Sequence, residues 1–330
     1  MTHVFLTHDP SSRSLFYGGA ALAQLRELAQ VRLNPLDRRL SAAELIEAAQ
    51  GCELLVSDVN TPVEAVVFDS LPELVAVLRG AVDRRSIDLA AASRNGVLVT
   101  HASPGFVNSV SELIFGMMID LARHVTRDAN LYHQGKMPAQ SMGTQLSGAT
   151  LGILGYGSIG RFVATLGQAF GMRVLVADPF VEVTEPDLEQ TTMEQVLETS
   201  DFVVCLVVAN AETENLMNAQ AFSRMKTSAY FINASRGNLV DETALTHALT
   251  NGEIAGAGLD VGRAEGQAPT PSIAALPNVV ATPHTGGLTP PAAQAQALET
   301  VVQIRALLGG EVPQNALNAP QASRLARLGI

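Results

Sequence analysis

One stretch constrains this chain more than any other. The segment LGILGYGSIG (151–160) is an apolar, strand-like run that ends in G-x-G-x-x-G and leads into the helix-like RFVATLGQAFG. Gly155 permits a tight turn, Gly157 lets the backbone approach a pyrophosphate, and Gly160 lets the helix pack closely on the strand. The backbone N–H groups of Ser158 and Ile159, at the helix start, are then expected to face the phosphates, where the helix dipole favours negative charge. A glycine pattern alone is a weak signal, and the next strand supplies a test. MRVLVAD ends in Asp178, about 20 residues on, where an acid accepts hydrogen bonds from the adenosine ribose hydroxyls. A carboxylate there repels a 2′-phosphate, and Pro179 through Val183 include no Arg or Lys. NAD is therefore the expected cofactor rather than NADP, with a helix or turn cap as the plainer role for Asp178.

The dinucleotide turn does not stand alone. Short β-rich runs alternate with helix-length periodic segments along the whole chain, the pattern of βαβ units and parallel sheets. A first series runs from HVFLT to VLVT near Thr100, and a second opens at Ala149 and ends in NVVATPH. At 330 residues the chain suits two domains of roughly 150 residues. The amphipathic stretch from about Pro290 to Leu308 is expected to return to the first domain, which makes the second series an insertion. The predicted fold is thus α/β, with two Rossmann-like or flavodoxin-like lobes. Residues 1–101 and 288–330 form a discontinuous substrate domain, and residues 102–287 form the NAD-binding domain. Crossings near His101 to Pro104 and Pro283 to Thr289 leave a cleft between the lobes. Between the two series, Val107 to Leu131 reads as one long helix with apolar residues on more than one face, which needs several partners. It lies between domains, between subunits, or in an ordinary core.

A formal net charge of −11 argues against nucleic acid or an anionic membrane as a general partner, because both need a basic face. No apolar run reaches the roughly 18 residues of a membrane span. The start, MTHVFLTHDP, shows neither a basic leader nor a long apolar core, so a cytoplasmic protein is expected. Cys52 and Cys205 sit in apolar runs and read as buried, reduced thiols. His101, His124, His133 and His247 have no metal-ligand spacing, and no metal is expected.

Three polar residues fall at strand ends of the second series, where open α/β sheets bind ligands. Arg236 follows AYFINAS, Glu265 follows AGAGLDV after a short turn, and His284 ends NVVATPH. Each alone reads as a surface pair, a solvated acid or a turn residue. Together they supply what hydride transfer to a 2-keto acid requires: a cation for the carboxylate, a proton donor for the carbonyl, and a carboxylate to hold that donor.

On these motifs, over nearly its whole length from DVNTPVEAVV to TPHTGG, the chain resembles the D-isomer-specific 2-hydroxyacid dehydrogenase family. The resemblance implies that Arg236 is the substrate arginine of N-x-x-R-G-x-L-V-D-E, that Glu265 is the acid beyond G-L-D-V, and that His284 is the histidine of T-P-H. It also places Asp260 near the nicotinamide carboxamide, lets Ala234 line the cofactor site, and suggests a homodimer through the helix that starts near Val107. Arg236 would fix the carboxylate with bidentate geometry. Glu265, ionised beside His284, would favour an imidazolium that donates its proton to the keto oxygen; neutral His284 would take the hydroxyl proton in reverse.

Two segments depart from the family. Where many relatives carry a glycine-rich G-x-G-x-D-x-I-D run, whose backbone N–H groups meet the substrate carboxylate, this chain has LRGAVDRRSID. Ala81, Val82 and Asp83 are the matching substrate-binding positions. One of Arg79, Arg84 and Arg85 then contacts a second acidic group, or all three are solvated. Where relatives often show Glu-Pro, this chain has GRAEGQAPTPS. The fold also serves NAD(H)-sensing regulators and phosphite-type oxidoreductases, so these stand as alternatives to a dehydrogenase of a small 2-hydroxy or 2-keto acid. Formate-type relatives carry Gln in place of the acid, and Glu265 speaks against that chemistry.

Overall fold

The apolar runs pair as parallel strands throughout the computed structural model, which describes residues 1–330. The chain divides into two units, Met1–Phe106 with Leu288–Ile330, and Val107–Gly287.

In the first unit β1 (His3–Leu6), β2 (Gln30–Leu33), β3 (Leu54–Ser57), β4 (Ala76–Arg79) and β5 (Leu98–His101) form a sheet in the order β2-β1-β3-β4-β5, the flavodoxin-like arrangement. Successive side chains of a strand point to opposite faces. Val4, Leu6, Leu54, Val56, Ala76, Leu78 and Leu98 therefore pack on one side with the helices Gly18–Leu28 and Pro290–Leu308. Phe5, Leu55, Val77 and Val99 pack on the other with Ala42–Ala48, Ala65–Ser70 and Leu89–Arg94. Burial on both faces explains why these strands are continuously apolar rather than alternating. The helix Pro290–Leu308 starts where Thr289 Oγ1 caps Ala292 N and proline fills the first turn, as expected of an N-terminus.

The second unit carries β6 (Thr150–Leu154), β7 (Arg173–Ala177), β8 (Glu189–Gln190), β9 (Phe202–Cys205), β10 (Tyr230–Asn233), β11 (Gly256–Leu259) and β12 (Val279–Ala281), in the order β12-β11-β10-β9-β6-β7-β8. This is a doubly wound sheet whose order reverses between β6 and β9. Both sheets are purely parallel, as the α/β reading expects. The two-residue strand β8 is exposed and has no apolar pattern by which a sequence could show it.

The long segment after Val107 differs from expectation. It is two helices, Val107–Arg123 and Val125–His133, separated by His124 at φ +58°. A left-handed residue ends the i→i−4 ladder, and the Asp120 carboxylate holds the break by accepting from Thr126 N and Oγ1. The first helix buries Ile114, Met117, Met118 and Leu121 against β10 to β12 and the helix Ser158–Ala169, so its apolar breadth is explained inside this unit. The second buries none of its residues.

Cys52 and Cys205 are free and buried, and burial pushes the Cys205 thiol up to about 12. No helix is long and apolar enough to cross a membrane.

Candidate active site

Strand register aligns the site. Leu154 of β6 pairs with Ala177 of β7 and Cys205 of β9, Cys205 with Asn233 of β10, Asn233 with Leu259 of β11, and Leu259 with Ala281 of β12. The residues that follow these positions therefore emerge in one row at the carboxyl edge of the sheet, spaced by about 4.8 Å per strand. That row contains the glycine turn, Asp178, Ala234, Arg236, Asp260 and His284.

The glycine turn has the shape that a dinucleotide needs. Gly155 lies at φ +95°, and a Cβ there would meet Leu206 O at 2.7 Å, while a Cβ on Gly160 would run into the carbonyl oxygen of Gly155. Gly157 faces open space, which leaves its backbone approachable. It N-caps the helix Ser158–Ala169 without any side-chain cap, so the first N–H groups, those of Ser158 and Ile159, are left for an outside anion. Gly160→Ala forces the turn or the helix to shift, an overpacking strain of about 1–3 kcal/mol. Roughly tenfold weaker NADH binding is expected, measured by fluorescence titration with circular dichroism as the check on folding.

Asp178 does more than the sequence suggests. Its Oδ2 accepts from Tyr156 N inside the glycine turn at 2.7 Å, and its Oδ1 accepts from Phe180 N at 2.8 Å and Val181 N at 3.2 Å. The carboxylate thus ties the second strand end to the phosphate turn and caps its own turn, with lone-pair capacity left for a ribose hydroxyl. The nearby cation, Arg161, lies 4.4 Å above the Tyr156 ring and pairs with Glu185 at 2.9 Å. It is therefore already committed to a carboxylate. Ala234 directly follows β10 and is 9% exposed, which keeps the floor of the row free of bulk. The turn geometry and the negative charge at Asp178 fit NAD.

The turn bearing Arg236 is shaped by Asn233, whose Nδ2 donates to Arg236 O at 3.0 Å while its Oδ1 accepts from Ser235 N at 3.1 Å. Ser235 Oγ donates to Val207 O at 2.7 Å. The Arg236 guanidinium is half-buried, and its Nη1 donates to Ser235 O at 2.8 Å. Gly237 lies so close to Gly262 that no side chain fits between them, which brings the arginine turn against the loop that carries Glu265. Arg263 fastens that loop through Glu214, Asn215 and the Asn238 carbonyl.

Asp260 is 2% exposed and organises the turn bearing His284. Its carboxylate accepts from Thr282 Oγ1 at 2.6 Å, Thr285 N at 2.8 Å and Gly286 N at 3.0 Å, and its carbonyl accepts from His284 N at 2.8 Å. This network holds His284 in the left-handed region at φ +57°, a conformation that a non-glycine residue adopts only when its surroundings fix it.

The hydrogen-bond neighbour of His284 in this structure differs from the expected Glu265. Its Nδ1 bonds to the carbonyl oxygen of Gly266 at 2.9 Å, and Glu265, an exposed residue, forms no ion pair with it. The cause is the backbone: Gly266 lies at φ +68°, which turns its carbonyl toward the imidazole and Glu265 outward. Proline, with φ fixed near −65°, cannot adopt the φ +68° of Gly266, so this turn depends on the departure from Glu-Pro. A carbonyl only accepts, so Nδ1 carries the hydrogen and Nε2, which has no partner in the chain, presents its lone pair. The sequence offered Glu265 and missed Gly266; the missing proline was the available signal.

Ala81, Val82 and Asp83 lie in the other unit, after β4, and are half-buried. Ala81 O accepts from Ala102 N at 3.2 Å, and the Asp83 carboxylate grips Arg85 through N and Nε. The loop is closed by side-chain pairing rather than by glycines.

A glycine turn at the reversal point of a doubly wound sheet, followed by an acid at the end of the next strand, marks an NAD-binding protein of the doubly wound α/β class. Residues 115–286 match the D-isomer specific 2-hydroxyacid dehydrogenase NAD-binding domain. The chain is 33% identical over 323 residues to a glyoxylate reductase of Korarchaeum cryptofilum, covering 96% of this chain and 95% of that protein. It is 36% identical over 289 residues to human D-3-phosphoglycerate dehydrogenase, covering 86% of this chain but 54% of that one, about half its length. Its fold matches the crystal structure of the TT0316 protein from Thermus thermophilus with a TM-score of 0.84 at 32% identity, over 96% of this chain and all of that one. The chain belongs to the D-isomer specific 2-hydroxyacid dehydrogenase family.

Proposed function

We propose that this chain transfers hydride between NAD(H) and a small 2-hydroxy or 2-keto acid, with His284 as the proton donor and acceptor and Arg236 as the carboxylate receptor. The observation that carries the assignment is the state of His284. Its Nδ1 is held by Gly266 O at 2.9 Å, which fixes the ring and leaves Nε2 as the one nitrogen able to exchange a proton with substrate. When bound, the reduced nicotinamide supplies the hydride.

In this reading, the Arg236 fork takes the substrate carboxylate and orients the adjacent carbonyl. Imidazolium His284 donates from Nε2 to the keto oxygen during reduction, and the neutral ring takes the hydroxyl proton during oxidation. Glu265 acts as a nearby charge beside the Gly266 carbonyl rather than as a hydrogen-bonded partner. Ser158 and Ile159 N–H receive the pyrophosphate between Gly155, Gly157 and Gly160, and Asp178 receives the ribose. Ala234 and Asp260 border the nicotinamide, with Asp260 holding the His284 turn. Ala81, Val82 and Asp83 contact the rest of the substrate. Self-association as a homodimer belongs to the reading and is supported by the exposed Val125, Tyr132, Met137 and Met142. A cytoplasmic setting, where Cys52 and Cys205 stay reduced, also belongs to it.

The test is a panel of 2-keto acids with NADH or NADPH, followed by loss of cofactor absorbance. Reduction of at least one keto acid with NADH preferred is the expected result. Tight NADH binding without turnover of any keto acid would instead support a sensor.

A further inference from the structure

The loop from Gly262 to Ala268 presents the Gly266 carbonyl to His284 in a conformation that its own residues do not favour. Gly262 N donates to Gln267 O at 2.8 Å, Gln267 N to Ala264 O at 3.0 Å, and Ala264 N to Ala268 O at 3.1 Å. Gly266 and Gln267 are both left-handed, at φ +68° and +60°, and Gln267 Oε1 is buried without a partner. A left-handed residue other than glycine, beside an unmet buried acceptor, persists only where its surroundings fix it. A restraint from outside the loop is therefore required.

Arg263 supplies it. Its Nη2 lies within donating distance of Glu214 Oε1 at 2.8 Å, Asn215 Oδ1 at 2.6 Å, and the Asn238 and Val240 carbonyls at 3.1 Å, and its Nε donates to Val240 O at 3.3 Å. The Arg263 backbone N donates to Glu242 Oε1 at 3.0 Å, and the same oxygen accepts from Thr270 Oγ1 at 2.8 Å, so both sides of the loop close on one carboxylate. Asn238 Nδ2 donates to Glu214 Oε2 at 2.8 Å. Hydrogen bonds from Asn238 and Arg263 hold the Glu214 carboxyl below its usual range, which keeps it charged for the pair. Asn238 and Val240 belong to the segment that follows Arg236. An exposed arginine–carboxylate pair contributes little to global stability, but a guanidinium that bridges two turns fixes how they lie against each other.

We propose that Arg263 is a positioning residue for hydride transfer: by tying the loop to the segment after Arg236, it keeps the Gly266 carbonyl on His284 Nδ1 and so holds the proton donor in register with the carboxylate receptor. The proposal rests on the dehydrogenase reading above. The Arg236 turn has its own supports in Asn233 and Ser235, so removal of the Arg263 guanidinium frees the loop rather than that turn. The His284 ring then loses its acceptor, and its tautomer is no longer imposed. The effect falls on the chemical step and spares the glycine turn and Asp178, which share no hydrogen bond with Arg263.

The test is Arg263→Met, which keeps an unbranched chain without its donors, measured alone and combined with His284→Ala. At saturating NADH, kcat for keto-acid reduction is expected to fall about tenfold, the effect of one lost orienting hydrogen bond, with KM and the NADH dissociation constant within about threefold of wild type. In the His284→Ala background the same substitution should lower kcat by less than about twofold, because the contact it protects is already gone. An unchanged kcat, losses that multiply in the double variant, or an equal loss of NADH binding overturns the proposal and leaves the dehydrogenase reading intact. If Arg263→Met does not fold, Arg263→Lys takes its place in the same cycle. A fall in kcat of about threefold or more is then expected, since an ammonium lacks the guanidinium's fork, and wild-type kcat overturns the proposal. A wild type that reduces no keto acid sinks the dehydrogenase reading itself, and the nitrogen NMR resonances of the His284 ring then read the positioning. The Nδ1–H tautomer in the wild type and an Nε2–H population in the variant are expected, and the same tautomer in both overturns the role of Arg263.

Discussion

Replacing His284 with alanine is expected to lower kcat by roughly 10²-fold or more while NADH still binds, because a general acid is removed and the nucleotide contacts are not. The measurement is steady-state keto-acid reduction at saturating NADH, paired with a fluorescence titration of the cofactor. Turnover within a few-fold of the wild type would show that another group handles the proton. Glu265→Gln separates this geometry from an imidazole–carboxylate pair. Because the ring is held by Gly266 O and Glu265 is exposed, only a screened charge worth about 1 kcal/mol or less is lost. The drop in kcat should stay within about fivefold. A loss as large as that of His284→Ala would mean that the carboxylate reaches the ring during catalysis.

Arg236→Ala should act mainly on KM. The variant loses a charge-assisted fork, and hydrogen bonds to a charged group are worth about 1.5–3 kcal/mol each. An increase in KM on the order of 10²-fold is therefore expected, with a smaller fall in kcat from poorer carbonyl orientation. Arg236→Lys should recover only part of the loss, since a point charge cannot make two parallel bonds. The Asn233 and Ser235 contacts that shape the turn are unaffected by either substitution. A KM within about threefold of wild type in Arg236→Ala would remove Arg236 from the carboxylate site.

Much of this architecture could be read before any coordinates because it is local. The apolar runs of β1, β3, β4 and β5 are buried on both faces, so each announces itself without its neighbours. The glycine turn and Asp178 form one continuous strand-turn-helix-strand unit. What escaped depends on backbone angles and on burial by distant residues. The break at His124 follows from one left-handed residue and a carboxylate at Asp120. The partner of His284 follows from φ at Gly266, a residue whose significance in the sequence was only that it is not proline. Arg79 looked like one of three equivalent arginines, since nothing local says that it alone is enclosed.

The bond from Asp178 to the Tyr156 amide has a consequence for redesign of the coenzyme. Accepting NADPH would ordinarily begin by exchanging this aspartate for a neutral or basic residue. Here that exchange also removes the carboxylate that holds the Tyr156 amide inside the glycine turn. The neutral substitution Asp178→Asn could keep the tether through its amide oxygen, whereas a basic side chain could not. Recruitment of the phosphorylated coenzyme would then need a new anchor for Tyr156 before a positive charge is introduced, and single-step basic variants should lose both nucleotides rather than exchange one for the other.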